Sequence, residues 1–308
     1  MRKLPSLYVR AHAHHIIFST DVSPDAKQLA VEFSAGYVLC CDLATFQAES
    51  FFAARDEKAE PFVKYLHDNK TLATSAGGSL RLFDLGTLTE RRDTNILHGR
   101  RWAPFDVSHN DRVIAIVSGK DALTLWNLES REPIDKLRSS HGDIRSFRFA
   151  PKNEVLAIGT SQGAILLCDT NAPDDDFRVL THGSSPVESV AFSPDGKQLA
   201  SADPSGATRI WDVAEGSEVA KLDQGAVTVA FSHDGKMLAT GYDKDKPNVG
   251  HVTLWSTETW EPLTTWQEPG YMQKTLFASD GKLVVLTDAS YVSVWDVPTF
   301  LENLPSPQ

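Results

Sequence analysis

Three histidines near the start of the chain are the residues most able to bind a metal ion. His12, His14 and His15 stand within four positions of one another. A zinc site needs ligands that converge on one point, and this run has no defined partner ligand. One of the three is also accounted for by a loop position in the repeat described below. We therefore expect no metal site here.

Three consecutive acidic residues, Asp174, Asp175 and Asp176, could in principle bind calcium. Calcium loops alternate their oxygen ligands and include a glycine at the sharp turn, whereas three adjacent carboxylates are more often a solvated loop. We favour the solvated loop and expect no cofactor.

Motifs for catalysis are missing from the sequence. It contains no G-x-S-x-G elbow, no H-E-x-x-H pair and no glycine-rich phosphate loop that opens a helix. Serine, histidine and aspartate are plentiful, but the repeat already explains their positions. The sequence therefore favours a protein that is not an enzyme.

A basic and aromatic cluster, Arg100, Arg101 and Trp102, is the best candidate for a contact with another protein. Arg and Trp are enriched among the residues that dominate the binding energy of protein interfaces. The cluster is unusual because the chain carries a formal net charge of −11. Packing of Trp102 in the interior is the alternative.

Two further segments are candidates for the same role. Tyr271 and Met272 suit adaptable contact surfaces, with packing in the interior as the alternative. Lys244 and Lys246 lie in a segment that lengthens one turn of the repeat. Such insertions often map to a binding face, although a tolerated, mobile loop is equally compatible with the sequence.

A marker at intervals of 40–44 residues shows how the chain must position these residues. In each repeat a strand ends in a bulky or sulfur-bearing residue followed by a short polar one. The seven markers are Cys41-Asp42, Phe83-Asp84, Trp126-Asn127, Cys168-Asp169, Trp211-Asp212, Trp255-Ser256 and Trp295-Asp296. A fixed period in this range predicts a repeat architecture.

The residues around each marker predict antiparallel strands. A turn rich in Asp, Asn, Gly and Pro, for example 193–196, is followed in each repeat by a small apolar strand such as the one at Leu199-Ala200. The strand that ends at the marker is apolar on both faces, which is expected when small sheets stack against one another.

Composition limits the possible partners and compartments. No apolar run approaches the ~20 residues that span a membrane, and the N-terminus shows no secretory signal. The acidic balance disfavours nucleic-acid binding. Cys41 and Cys168 occupy marker positions and are interpreted as packing residues. These features favour a soluble protein of a reducing compartment, the cytoplasm, that is monomeric by itself.

Residues 182–213, which contain His182, a hairpin turn and the Trp211-Asp212 pair, closely resemble a WD40 repeat. The resemblance covers essentially the whole chain, with degenerate copies in the first four repeats. It implies an all-β, seven-bladed β-propeller of four-stranded antiparallel blades, and it places the loops of Arg100, Lys244 and Tyr271 on the so-called top face, around a central channel.

The resemblance also implies how the ring closes. In the family, each repeat contributes the last strand of one blade and the first three strands of the next. We therefore expect the strand-like run at residues 6–10 to supply the outer strand of blade seven. Residues 1–301 are predicted to form one propeller domain, and residues 302–308 a flexible tail.

A hydrogen-bonded tetrad of loop His, strand-b Ser or Thr, turn Asp and strand-c Trp is a further implication of the resemblance. Its candidate members here are His98, His141, His182, Ser201, Trp126, Trp211, Trp255 and Trp295. Most repeats lack at least one member, and in blade five Asp203 is a possible substitute for the missing turn Asp. We expect a divergent propeller held mainly by apolar packing between blades.

A non-catalytic scaffold that binds a peptide or a partner protein through its top face is the function this pattern favours. Two alternatives stay open. One is a hydrolase-like propeller enzyme with polar residues at the channel mouth. The other is a structural subunit of a larger complex, which would show a large apolar patch on its rim or bottom face.

Overall fold

A computed structural model gives the fold. It describes residues 7–10, 16–34, 36–53, 62–76, 78–91, 96–97, 103–172, 177–243, 248–288 and 291–302. The described residues form seven antiparallel sheets, and these are the blades of a propeller.

Blades one to four contain the following strands. Blade one has β2 (Ile17–Val22), β3 (Gln28–Phe33), β4 (Tyr37–Asp42) and β5 (Ala48–Ala53). Blade two has β6 (Phe62–Tyr65), β7 (Thr71–Ala76) and β8 (Ser79–Asp84), with two short segments, β9 (Thr89–Glu90) and β10 (Ile96–Leu97), paired to β8. Blade three has β11 (Phe105–Val107), β12 (Val113–Val117), β13 (Ala122–Asn127) and β14 (Pro133–Arg138). Blade four has β15 (Ile144–Phe149), β16 (Val155–Thr160), β17 (Ala164–Asp169) and β18 (Arg178–Thr181).

Blades five to seven complete the ring. Blade five has β19 (Ser189–Phe192), β20 (Gln198–Ala202), β21 (Thr208–Asp212) and β22 (Glu218–Leu222). Blade six has β23 (Thr228–Phe231), β24 (Met237–Asp243), β25 (Val249–Ser256) and β26 (Pro262–Pro269). Blade seven has β27 (Met272–Phe277), β28 (Lys282–Thr287), β29 (Tyr291–Asp296) and, as its outer strand, β1 (Leu7–Arg10). We call the four strands of a blade a to d, from the axis outward.

All seven markers end a strand c, as the sequence predicts. The structure shows why the second residue of each marker is short and polar. The Asp42 carboxylate accepts hydrogen bonds from the N–H groups of Ala44 and Thr45 in the turn that follows. Asn127 does the same for Glu129 and Ser130. A side chain that mimics a backbone turn in this way fixes the hairpin between strands c and d.

Apolar packing between blades forms the core. Seven clusters of buried hydrophobic residues lie one at each boundary between neighbouring blades. The marker residues Cys41 and Cys168 are 0% and 4% exposed and belong to two of these clusters. The interpretation of both cysteines as packing residues is therefore confirmed.

Polar side chains on strand a accept hydrogen bonds from backbone N–H groups on strand a of the next blade, the inner edge of that sheet. Asp21 Oδ2 in blade one accepts a hydrogen bond from the backbone N–H of Tyr65 in blade two at 2.8 Å. Asp106 Oδ2 in blade three accepts one from the N–H of Phe149 in blade four, also at 2.8 Å. Since an unpaired buried N–H is costly, these contacts bind neighbouring blades together beside the axis.

The N-terminal strand closes the ring, as predicted. β1 pairs antiparallel with β29, with Leu7 opposite Val294 and Arg10 opposite Tyr291. A shared apolar cluster that includes Ile17 and Val284 joins blade one to blade seven. The last blade thus contains both ends of the propeller.

Strand β29 leads into a single helical segment, α1 (Val297–Glu302). The predicted tail begins at the last residue of this segment, and residues 303–308 lie outside the described residues, so the tail stays a prediction. In the part of the chain that the structure describes, no helix is long and apolar enough to cross a membrane.

Candidate functional site

Blade five holds a complete tetrad, in which Asp203 takes the place of the missing turn Asp. The indole Nε1–H of Trp211 donates to Ser201 Oγ at 2.8 Å. Ser201 Oγ lies 2.7 Å from His182 Nδ1, and His182 Nε2 lies 3.3 Å from Asp203 Oδ2. Burial lowers the pKa of His182, although Asp203 opposes the shift. Nδ1 of the neutral ring accepts a hydrogen bond from Ser201, whereas Nε2 faces the Asp203 carboxylate without a hydrogen bond of good geometry.

Blades six and seven replace the loop His with other polar side chains. In blade six, Trp255 Nε1 donates to Thr240 Oγ1 at 2.9 Å, and Thr240 Oγ1 donates to the Gln224 amide oxygen at 3.4 Å. In blade seven, Trp295 Nε1 donates to Glu268 Oε1 at 2.6 Å. The networks of these two blades are therefore substituted rather than lost.

Glu268 is the acidic centre of blade seven and is only 3% exposed. Besides the bond from Trp295, its Oε1 accepts bonds from the indole of Trp266 at 2.9 Å and from the hydroxyl of Ser293 at 3.0 Å. Burial raises the pKa of Glu268, and the three donors oppose that shift. The hydroxyl of this network comes from strand c, whereas in blade five it comes from strand b.

Blades three and four show the degeneracy that the sequence predicts. In blade four, His141 makes local contacts with Ser139 and Ser140, and Thr160 bonds the backbone of Ala164. In blade three, His98 lies outside the described residues. These two blades are held chiefly by their apolar clusters.

A cavity of about 580 Å³ lies on the propeller axis and is lined by strand a of all seven blades. Three β-bulges shape it. Each bulge inserts one extra residue into a strand a, and the extra residues, Phe18, Arg145 and Gln273, all line the cavity. Because a bulge re-aims a side chain, these three depart from the pattern of the other blades.

The top face is the end of the ring where strands d lead into strands a and strands b into strands c. At this end Lys120, Asp143 and Arg145 are exposed and line the mouth of the cavity. Arg145 Nε lies 3.8 Å from Glu188 Oε1. The mouth of the cavity therefore presents charges of both signs, on residues that lie outside the apolar clusters between the blades.

Lower in the cavity stand Lys64, Arg148 and Lys274. Lys64 Nζ lies 2.8 Å from Asp106 Oδ1. Burial alone would lower the pKa of Lys64, but the Asp106 and Asp21 carboxylates outweigh it and hold the pKa above its usual value.

Comparison with known proteins connects these features to a family. Residues 147–230, from the end of strand a in blade four to blade six, match a family model described as the WD40 domain of anaphase-promoting complex subunit 4. The match covers the complete tetrad and the Trp211-Asp212 marker. Together with seven blades closed by an N-terminal strand, it supports the resemblance to WD40-repeat proteins.

The chain is a seven-bladed propeller that is similar to WD40-repeat proteins.

Three curated relatives illustrate this likeness. Apoptotic protease-activating factor 1 of Homo sapiens is 26% identical over 174 residues, which are 54% of this chain and 14% of the relative. Echinoderm microtubule-associated protein-like 2 of Mus musculus is 38% identical over 94 residues, 30% of this chain and 14% of the relative. Serine-threonine kinase receptor-associated protein of Gallus gallus is 24% identical over 210 residues, 68% of this chain and 58% of the relative. The aligned part of this propeller spans less than two thirds of each relative.

Few of the predicted partner-binding residues of the propeller fall within the described part. Arg100, Arg101 and Trp102 lie outside the described residues, as do Lys244 and Lys246. Nor does the structure describe His12, His14, His15 or Asp174, Asp175 and Asp176. The roles expected for these positions stay predictions.

Tyr271 and Met272 differ in environment although they are neighbours. Tyr271 is 40% exposed, and its backbone N–H is held by Asp288 at 2.6 Å. Met272 is 5% exposed and packs in the cluster between blades six and seven. Met272 therefore packs between blades, which is the alternative stated for this segment. The side chain of Tyr271 is exposed and available for contact.

Sequence reasoning missed the charged lining of the axial cavity. Lys64, Arg148 and Lys274 each lie on a strand a. For these positions the repeat pattern predicts a β-strand but no functional role. One signal could have drawn attention to two of them. Asp21, Lys64, Asp106 and Arg148 occupy the same position, one residue before the end of strand a, in blades one to four. Charge at a repeated position that is apolar in blades five to seven marks a departure from simple packing.

Proposed function

We propose that this propeller is a non-catalytic scaffold that binds a protein or peptide through its top face. One observation carries the proposal: exposed charges of both signs line the mouth of the axial cavity, and the exposed Tyr271 lies at the start of blade seven at the same end. Aromatic and Arg side chains on a rigid support are typical of the residues that dominate binding energy. Arg100, Arg101, Trp102, Lys244 and Lys246 belong to the proposed surface, since their loops join strands at the same end.

Relatives with interaction roles in their names support a scaffold. One relative is described as associated with a serine-threonine kinase receptor, and another as associated with microtubules. Within the described residues, no group of three or more His, Cys, Asp or Glu side chains is placed to hold a metal ion. We further propose a cytoplasmic location, supported by the free and buried thiols of Cys40, Cys41 and Cys168.

A second candidate function, contact through the rim, rests on a separate observation. Exposed apolar side chains stand at the second position of strand d in four consecutive blades. They are Ile134, Val179, Val219 and Leu263, at 43%, 42%, 49% and 42% exposure. Such a row suits a structural subunit that is held along its rim within a larger complex.

Affinity capture from the native source with three versions of the chain separates the two candidates. The top-face version carries Lys120→Glu, Arg145→Glu and Tyr271→Ala. The rim version carries Val219→Arg and Leu263→Arg, and the third is the wild type. Each variant is the control for the other, because both change exposed residues. We expect the top-face version to lose the partners that the rim version keeps. Equal recovery by the wild type and the top-face version would overturn the proposal.

A second top-face version, Arg101→Glu with Trp102→Ala, tests the loop that enters blade three. We expect it to lose the same partners as the first top-face version. Melting curves of all versions show whether a loss of binding comes from a loss of fold.

A further inference from the structure

The lining of the axial cavity is cationic, although the whole chain is acidic. Five lining residues are basic and two are acidic. The basic ones are Lys64, Lys120, Arg145, Arg148 and Lys274, and the acidic ones are Asp143 and Glu188. The chain as a whole has a formal net charge of −11. A positive cavity in a negative protein concentrates anions at one place.

Two cations of the lining are not paired with a carboxylate among the described residues, and of these Arg148 is exposed and Lys274 is partly buried. Lys64 is paired with Asp106, and Arg145 with Glu188. Within the described residues, no carboxylate oxygen lies within 4.0 Å of the charged nitrogens of Arg148 or Lys274. Arg148 Nη1 donates to the carbonyl of its neighbour Phe147, and Lys274 Nζ donates to the carbonyl of Thr20.

The protonated form of Lys274 is poorly stabilised as a result. Burial lowers the pKa of Lys274 to about 8. Asp21 and Asp106 oppose this shift, whereas Arg148 and Lys64 add to it. A group of cations that depress one another's charge is a group that an anion would stabilise.

Part of the lining is aromatic. Phe18, Phe62, Phe105 and Phe147, from four consecutive blades, line the same cavity. Phe18 and Phe62 are partly exposed, whereas Phe105 and Phe147 are 6% and 5% exposed and also pack between blades. Its volume of about 580 Å³ lies within the range of small-molecule sites, which are mostly apolar with a few polar groups that fix the orientation of the ligand.

We propose that the axial cavity binds an organic phosphate monoester. The phosphate lies against Arg148 and Lys274, and the apolar body of the ligand packs on the phenylalanine walls. A phosphate monoester carries about −1.5 to −2 charges at pH 7, which matches the two cations that lack a carboxylate partner. Its three oxygens can accept charge-assisted hydrogen bonds from a guanidinium and an ammonium group at once.

The same chemistry can come from two sources. One is a free small molecule, and the other is a phosphorylated aromatic side chain that a partner inserts from the top face. Both place a ring against the phenylalanine side chains and a phosphate against the cations. The site needs no partner for its test, so the outcome does not depend on the scaffold function proposed above.

Calorimetric titration of the purified full chain with phenyl phosphate at pH 7 is the test. We expect saturable binding, weakened about tenfold or more by Arg148→Gln and by Lys274→Met, since each removes a charge-assisted hydrogen bond. Arg112→Gln and Lys136→Met are the matched controls, because both remove the same charges from exposed positions outside the cavity. No saturable heat up to 10 mM ligand, or equal losses in the controls, would overturn the proposal.

A measurement on the unaltered protein covers the case in which a variant fails to fold. The Lys274 side-chain NMR signal, assigned by its disappearance in Lys274→Arg, reports the pKa of this ammonium group. We expect phenyl phosphate to raise that pKa from about 8. A pKa that stays unchanged at saturating ligand would place the anion elsewhere and sink the assignment.

Three further ligands separate the parts of the proposal. Inorganic phosphate lacks the ring and phenol lacks the phosphate, so we expect both to bind more weakly than phenyl phosphate. Inorganic phosphate that binds as tightly would remove the role of the phenylalanine walls. A phosphotyrosine peptide that binds more tightly than phenyl phosphate would identify a partner's side chain as the source. A peptide that does not bind, alongside phenyl phosphate that does, would identify a free small molecule.

Discussion

Trp295 donates its indole N–H to the carboxylate of Glu268 at 2.6 Å, although no histidine is present in the blade-seven loop to make the usual network. Trp266 and Ser293 donate to the same oxygen. An acidic side chain that is almost fully buried thus holds strand c of blade seven to β26, strand d of blade six. Three donors converge on one acceptor, so the loss of that acceptor is costly.

Replacing Glu268 with alanine should reduce the free energy of unfolding by about 3 kcal/mol, because buried donors are left without an acceptor. Glu268→Gln keeps an accepting oxygen at the same position and should lose less, about 1 kcal/mol. Urea unfolding measures both variants against Glu261→Ala, an exposed control in blade six. An alanine variant as stable as the control would show that the network contributes nothing.

Glu32 should make the stability of the propeller depend on pH. It is 0% exposed, and burial raises its pKa from 4.5 to about 8, with only the hydroxyl of Thr74 opposing. A carboxyl whose pKa is raised in the folded state stabilises fully below its unfolded pKa. That contribution is lost as the pH rises from 4.5 towards 8, by on the order of 4 kcal/mol.

Glu32→Gln should remove this dependence, because an amide stays neutral at every pH. We expect the variant to be more stable than the wild type at pH 9 and to differ little from it at pH 5. Urea midpoints at pH 5, 7 and 9 test this, with Glu261→Gln as an exposed control. Parallel pH profiles for the wild type and Glu32→Gln would contradict a raised pKa.

Asp203 should couple energetically to His182. Asp203→Ala removes the carboxylate that lies 3.3 Å from His182 Nε2, which should cost about 1 kcal/mol. His182→Ala removes the same contact from the other side, so the double variant should be less damaged than the sum of the single ones, by about 1 kcal/mol. Asp223→Ala, at a side chain that is 87% exposed, is the control. Strictly additive losses would exclude a direct contact.

The marker pairs predict the fold because each pair has two structural roles, and the residue types for both recur in every repeat. The first residue of Cys41-Asp42, for example, packs between blades, and the second caps the following turn. The cap is local, and the packing position recurs in every repeat, so all seven strand ends can be predicted. Asp203 was expected as a substitute on the same grounds, because it stands near the expected position.

Substitutions from a different position are harder to predict. Glu268, near the end of β26, and Gln224, in the loop before blade six, take the place of the missing histidine, and Ser293 moves the hydroxyl from strand b to strand c. Only the folded chain shows that these side chains converge. The cavity is hidden for a similar reason, since bulges shift the alternation of strand a just where Arg145 and Gln273 enter it.

Removal of β1 should open the ring. Deleting residues 1–11 takes away the strand that pairs with β29 and leaves the edge of blade seven unbonded. Among the described residues, blades one and seven would then be joined by their shared apolar cluster and by the contacts of Lys274 and Ser279 with blade one. We expect the melting temperature to fall by about 10 °C, since a chain of this size loses roughly 2–4 °C per kcal/mol.

Deletion of residues 303–308 is the control and should leave the melting temperature unchanged. Equal melting of the two truncated chains would mean that β1 does not hold the ring closed, because only one of them removes a strand of the sheet.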